Sequence, residues 1–133
     1  MIFGIGIDLL NMKRVEKLYK KYNEKLLNKI LSDIEINYLK NTKKDELNFL
    51  AKRFCIKEAF SKAVGTGIGK NISFKDISYI NDINGKPYIK CNKKLIIFLE
   101  NKFNIDFNKI KIDISISDEK PFVNSIIIIS KKE

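Results

Sequence analysis

The sequence predicts an α+β fold, a single domain in which one long buried helix packs on a largely antiparallel sheet. Three observations predict it. Helical patterns follow one another through the first half of the chain, and strand patterns fill most of the second. One helical pattern runs unbroken over residues 45–64. The chain has 133 residues, enough to bury a sizeable core and too few for two domains, so 1–133 is read as one unit.

Residues 2–9 are β-branched and apolar with two interior glycines, the pattern of a buried first strand. Asn11 then starts a basic amphipathic helix to about residue 22, and a shorter helical piece follows around 26–31. Ser32-Asp33-Ile34-Glu35 has the spacing of a capping box, which begins a third short helix reaching about residue 40. The long helix occupies 45–64, and Gly65 is well placed to end it in a left-handed conformation. After a glycine-rich loop, 77–82 reads as a strand, Asn84-Gly85 as a hairpin turn and 87–90 as the partner. Residues 92–103 repeat apolar positions at helical spacing. Ile110, Ile112, Ile114 and Ile116 alternate with polar neighbours in a strand, and 122–130 is apolar enough to be a central strand.

Composition narrows the chemistry. There is no histidine, which removes the usual neutral-pH base, the histidine triads and the His-containing zinc sites. Two cysteines, Cys55 in a helical pattern and Cys91 at a strand end, give neither a disulfide framework nor a four-thiolate zinc site and fit a reducing compartment. Catalysis must therefore rest on Asp, Glu, Lys, Arg, Ser or Tyr, with a hard oxygen-seeking cation. The amino terminus has no cationic segment before its apolar stretch and reads as no signal or transit peptide. The net charge of +10 points to an acidic partner, although 24 Lys against 2 Arg is also what a codon bias toward Lys, Ile and Asn produces.

On the long helix, Glu58 falls on the apolar face with Leu47, Leu50, Ala51 and Phe54, and Lys62 lies one turn further on. Spacing alone admits two readings: a buried Glu58–Lys62 ion pair, or a metal ligand beside a phosphate-binding lysine. Asp8 shares a strand face with Gly4 and Gly6, so it either guards a space those glycines leave open or caps the next helix. Gly65-Thr66-Gly67-Ile68-Gly69-Lys70 lacks the order of a phosphate loop, since the helix precedes it. Lys13, Lys17, Lys20 and Lys21 form a stripe on the first helix with Arg14 beside it, either a solvated face or a dock for an acidic helix.

Taken together, Gly4-Ile5-Gly6-Ile7-Asp8-Leu9 with Arg14, Lys57-Glu58-Ala59-Phe60-Ser61-Lys62-Ala63, Gly65-Thr66-Gly67, Asn84-Gly85-Lys86-Pro87 and Ile114-Ser115-Ile116-Ser117 resemble the holo-acyl-carrier-protein synthase family of 4′-phosphopantetheinyl transferases. The match covers nearly the whole chain in the family's order. The resemblance implies transfer of the phosphopantetheine arm of coenzyme A to a serine of apo acyl carrier protein, releasing adenosine 3′,5′-bisphosphate, a step that serves fatty acid biosynthesis. It makes Asp8 and Glu58 the Mg²⁺ ligands, with Glu58 or a metal-bound water taking the serine proton and Lys62 stabilising the departing phosphate. It assigns coenzyme contacts to Lys62, Gly65, Thr66, Gly85, Lys86, Pro87 and Ser117, and carrier-protein docking to Arg14 with Lys13, Lys17 and Lys21. It further implies a homotrimer with active sites between subunits, in the bacterial cytoplasm or a plastid stroma. Two departures stand out: Asp118 replaces the family's usual His, and Val123, Asn124 and Ser125 replace Ala-rich positions. The alternatives are a basic nucleic-acid-binding domain using aromatic residues such as Phe54 and Phe60, or an inactive relative that binds carrier protein; the resemblance implies neither nucleic acid nor membrane as a partner.

Overall fold

The computed structural model describes residues 1–42 and 44–133. Strand β1 (Ile2–Asn11) opens the chain, and helices α1 (Met12–Tyr22), α2 (Glu24–Ile30), α3 (Asp33–Lys40) and α4 (Glu46–Val64) follow it. The second half holds β2 (Ile77–Asn81), β3 (Pro87–Cys91), α5 (Lys93–Phe103), β4 (Ile110–Glu119) and β5 (Phe122–Lys131). Every strand pairing is antiparallel, divided between two sheets: β5 lies between β1 and β4, and β2 pairs with β3.

Helices α1, α3, α4 and α5 begin where a side chain can accept from an otherwise unpaired amide. Asn11 accepts from the Lys13 amide, Asp45 from those of Leu47 and Asn48, and Asn92 from that of Leu95. Ser32 and Glu35 exchange both bonds of the capping box at the start of α3. Gly65 closes α4 at φ 91°. The β2–β3 connection is longer than a two-residue turn: Asn81 pairs with Pro87, and Asp82 Oδ1 orders residues 82–86 by accepting from the amides of Asn84 and Lys86.

Helix α4 is the centre of the molecule. It packs on the inner face of the three-stranded sheet, where Val123, Ile127 and Ile129 of β5 are fully buried. Contact with β1 is closer than any side chain would allow. A Cβ on Gly4 would fall 1.8 Å from the Ala63 carbonyl oxygen, and one on Gly6 would fall 1.9 Å from that of Ala59. The open space that the strand pattern suggested beside these glycines does not exist, because the backbone of α4 fills it. On the outer face of the same sheet Ile5, Ile7, Leu9 and Ile126 are between 37% and 70% exposed. No helix among the described residues is long and apolar enough to cross a membrane.

Candidate active site

The glycine contact sets the geometry of the site. Asp8 lies two residues beyond Gly6 on the face of β1 that meets α4, and Glu58 immediately precedes Ala59, whose carbonyl Gly6 approaches. Lys62 follows one turn later, and its Nζ donates to Asp8 Oδ1 at 2.9 Å and to the Ile7 carbonyl at 3.1 Å. The helical ion pair that spacing allowed between Glu58 and Lys62 is not formed; Lys62 reaches across to β1 instead, and Glu58 makes no salt bridge among the described residues. Asp8 does not cap α1 either, because Asn11 does.

Glu58 is half-buried at the margin of the core, not within it. Partial burial raises its pKa, the nearby Asp8 charge raises it further, and Lys62 and Arg14 oppose both. The hydrogen bond to Asp8 raises Lys62. Two carboxylates close enough to feel each other's charge, both hard oxygen donors, fit a small divalent cation, whose binding would relieve their repulsion. No group of three or more His, Cys, Asp or Glu residues converges among the described residues. Asp8 and Glu58 would thus supply two ligands, leaving most of the coordination shell to water and substrate oxygens, as is normal for Mg²⁺.

The backbone of Asp8 is held from behind. Cys55 Sγ lies 3.4 Å from the Asp8 carbonyl oxygen and 3.2 Å from Ser125 Oγ, and Ser125 Oγ donates to the Cys55 carbonyl at 3.0 Å. Burial pushes the Cys55 thiol up to about 11, so it is a packing and hydrogen-bonding group, not a nucleophile. On the opposite side of α4 lies a buried charge cluster that the sequence reading missed. Glu35 accepts from Lys57 Nζ, from the Tyr79 amide at 3.0 Å and from the Ser32 amide at 2.9 Å, while Arg53 Nε lies 3.5 Å away. Two cationic residues at i, i+4 on an otherwise apolar helix face were the available signal, but their shared partner sits on another helix.

Beside Glu58, a cavity of about 420 Å³ opens between α1, α2 and α4, with Leu18, Phe54 and Phe74 in its wall and Arg14 at its rim. Lys25 and Lys29 of α2 join Arg14 there, whereas Lys13, Lys17 and Lys21 project into solvent along α1. Phe60 is fully buried and Phe54 stacks on Phe74, so neither ring stands free as a platform for a base. The amides of Gly65 and Thr66 donate to the Ser61 carbonyl and so cap α4, one turn beyond Lys62. Gly85, Lys86 and Pro87 at the β2–β3 connection, and Ser117 on β4, have no hydrogen bond or salt bridge to Asp8, Glu58 or Lys62 among the described residues. Asp118 Oδ2 lies 3.8 Å from Lys52 Nζ, so a cation stands beside this carboxylate.

Comparison with known proteins adds to this geometry. Residues 4–118 match the family described as the 4′-phosphopantetheinyl transferase superfamily. A holo-[acyl-carrier-protein] synthase of Ruthia magnifica is 45% identical over 120 residues, covering 90% of both chains. The crystal structure of a Neisseria meningitidis holo-[acyl-carrier-protein] synthase superposes with a TM-score of 0.88 at 37% identity, over 98% of this chain and all of that one. A Helicobacter pylori holo-[acyl-carrier-protein] synthase solved in complex with coenzyme A superposes with a TM-score of 0.75 at 34% identity, over 95% and 99% of the two chains.

Proposed function

Because the chain belongs to the 4′-phosphopantetheinyl transferase superfamily, we propose that it moves the 4′-phosphopantetheine group of coenzyme A onto a serine of apo acyl carrier protein, with Mg²⁺ as cofactor and adenosine 3′,5′-bisphosphate as the second product. The observation that carries this reading is the convergence of Asp8, Glu58 and Lys62 where β1 crosses α4. When bound between Asp8 and Glu58, Mg²⁺ would neutralise charge on the pyrophosphate of the coenzyme.

The protein's own groups have separate tasks. The serine oxygen attacks the phosphorus that carries the pantetheine arm, and the bond from that phosphorus to the oxygen of the adenosine 5′-phosphate breaks. Glu58, or a water held at the same site, accepts the serine proton. Lys62 places its ammonium against the leaving phosphate, and Asp8 fixes where that ammonium starts. Such phosphoryl transfer is mostly positioning and electrostatics, so the absence of histidine is no obstacle.

The cavity beside Glu58 suits the carrier protein: its apolar wall would take hydrophobic side chains of an acidic helix, and Arg14 with the basic residues of α1 and α2 would meet the acids around them. Its position next to Glu58 would deliver the serine to the base. The apolar outer face of the sheet supports assembly into a homotrimer, in which Gly85, Lys86, Pro87 and Ser117 would reach the coenzyme from a neighbouring subunit, and Gly65 and Thr66 would reach it from the same one. Two buried thiols fit a reducing compartment, so we place the reaction in the cytoplasm.

Incubation with coenzyme A, Mg²⁺ and apo acyl carrier protein should add the mass of one phosphopantetheine to the carrier. Asp8→Ala and Glu58→Ala should each reduce this transfer by about a thousandfold or more while the circular dichroism spectrum stays unchanged. An unmodified carrier with the wild type, or near-normal transfer with either variant, would refute the assignment.

A further inference from the structure

The Lys62–Asp8 contact has a consequence for the order in which ligands load. Asp8 is largely covered, its side chain 15% exposed, and Lys62 is its salt-bridge partner among the described residues. The ammonium sits 2.9 Å from Asp8 Oδ1, and its bond to the Ile7 carbonyl at 3.1 Å steadies it there. Lys62 itself is 51% exposed, so its stem can swing outward into solvent without disturbing the core.

We propose that Lys62 is a built-in counter-ion of Asp8 that keeps the protein's affinity for divalent cations low until the pyrophosphate of coenzyme A draws the ammonium away. This rests on the reading of Asp8 and Glu58 as the cation ligands. A cation approaching Asp8 must displace a hydrogen-bonded ammonium and then tolerate it nearby; a pyrophosphate offers that ammonium a stronger partner and adds oxygen ligands of its own. Cation and coenzyme therefore bind cooperatively, and linkage requires each to tighten the other by the same factor. In this reading Lys62 both greets the coenzyme and gates the metal.

The test is titration of the full-length protein with Mn²⁺, following free Mn²⁺ by electron paramagnetic resonance, with and without coenzyme A. Without coenzyme, Lys62→Met should bind Mn²⁺ about fivefold more tightly than wild type, the scale set by losing a partly exposed ion pair. Lys62→Arg, which preserves the pair, should stay near wild type. The factor by which coenzyme A tightens Mn²⁺ should shrink in Lys62→Met; Lys62→Gln repeats the measurement should the methionine variant fold poorly. Equal or weaker Mn²⁺ binding by both neutral variants, with binding still lost in Asp8→Asn and Glu58→Gln, would overturn the gating proposal and leave the site standing. Mn²⁺ affinity indifferent to Asp8→Asn and Glu58→Gln would overturn the site reading, and the proposal with it.

Discussion

Lys57 has no exposed side-chain surface, and its ammonium is shared between Glu35 and the Ile30 carbonyl. Burial pulls its pKa down to about 8 even though Glu35 opposes the shift. The unfolded chain keeps this proton up to the ordinary lysine range near 10.4, so between about pH 8 and 10 it binds more protons than the folded chain. Lys57 therefore makes stability rise with pH through that window, and its desolvation cost is present in full below pH 8. Lys57→Met should cost about 3–5 kcal/mol at pH 7, because it leaves Glu35 buried with Arg53 as its one remaining charged partner among the described residues. The gap between wild type and variant, measured as urea midpoints, should widen from pH 7.5 to 9.5. A constant gap would show that Lys57 does not titrate there. Lys57 and Glu58 are neighbours on one helix, so the buried cluster anchors α4 immediately beside Glu58.

At the level of elements, the decisive pair is β1 and α4. A strand normally stands off a helix by the length of its side chains, but Gly4 and Gly6 bring backbone against backbone. Only then can the short carboxylate of Asp8 meet side chains of α4. Gly6→Ala would place a methyl 1.9 Å from the Ala59 carbonyl oxygen, a backbone atom that cannot rotate away. The strand must move outward, which should destabilise the protein by about 1–3 kcal/mol or somewhat more. Transfer activity should fall far more than the unfolded fraction accounts for, because the gap between Asp8 and Glu58 widens. Comparison of denaturant unfolding with carrier modification rates for this variant checks the claim; activity that tracks stability alone would count against it.

The whole molecule presents one surface that a lone chain leaves exposed. Ile5, Ile7 and Leu9 of β1 stand beside Ile126 and Ile128 of β5 on the outer sheet face, opposite the face that α4 covers. A row of this kind on an antiparallel sheet ordinarily meets another surface. Under the proposed trimer, Ile126→Lys should leave each subunit folded, since the substitution faces outward, but should shift sedimentation from a trimer toward a 15.5 kDa chain. Transfer should fall with dissociation, because Gly85, Lys86, Pro87 and Ser117 make no hydrogen bond or salt bridge to Asp8 within one subunit among the described residues and would reach the coenzyme from a neighbour. Unchanged sedimentation would argue that this face is not the interface.

Much of the fold was legible because it is written in local chemistry. Asn11, Ser32 and Asp45 cap the helices they precede, Gly65 ends α4, and the alternation of Ile110 through Ile116 marks an inward-facing strand. Those features depend on residues a few positions apart, whose interactions survive in any context. Asp8, Glu58 and Lys62 could also be singled out, as polar groups placed against an apolar pattern and as parts of a family motif. What spacing could not decide was who pairs with whom. Lys62 was one turn from Glu58 yet bonds Asp8, Glu35 caps its own helix yet also neutralises Lys57 of another, and two strand glycines turned out to seat a helix. Sequence order settled which residues were available and what local structure they take. Only the tertiary packing settled their partners, because contacts between segments distant in the chain are chosen by shape and charge in three dimensions, which no local pattern encodes.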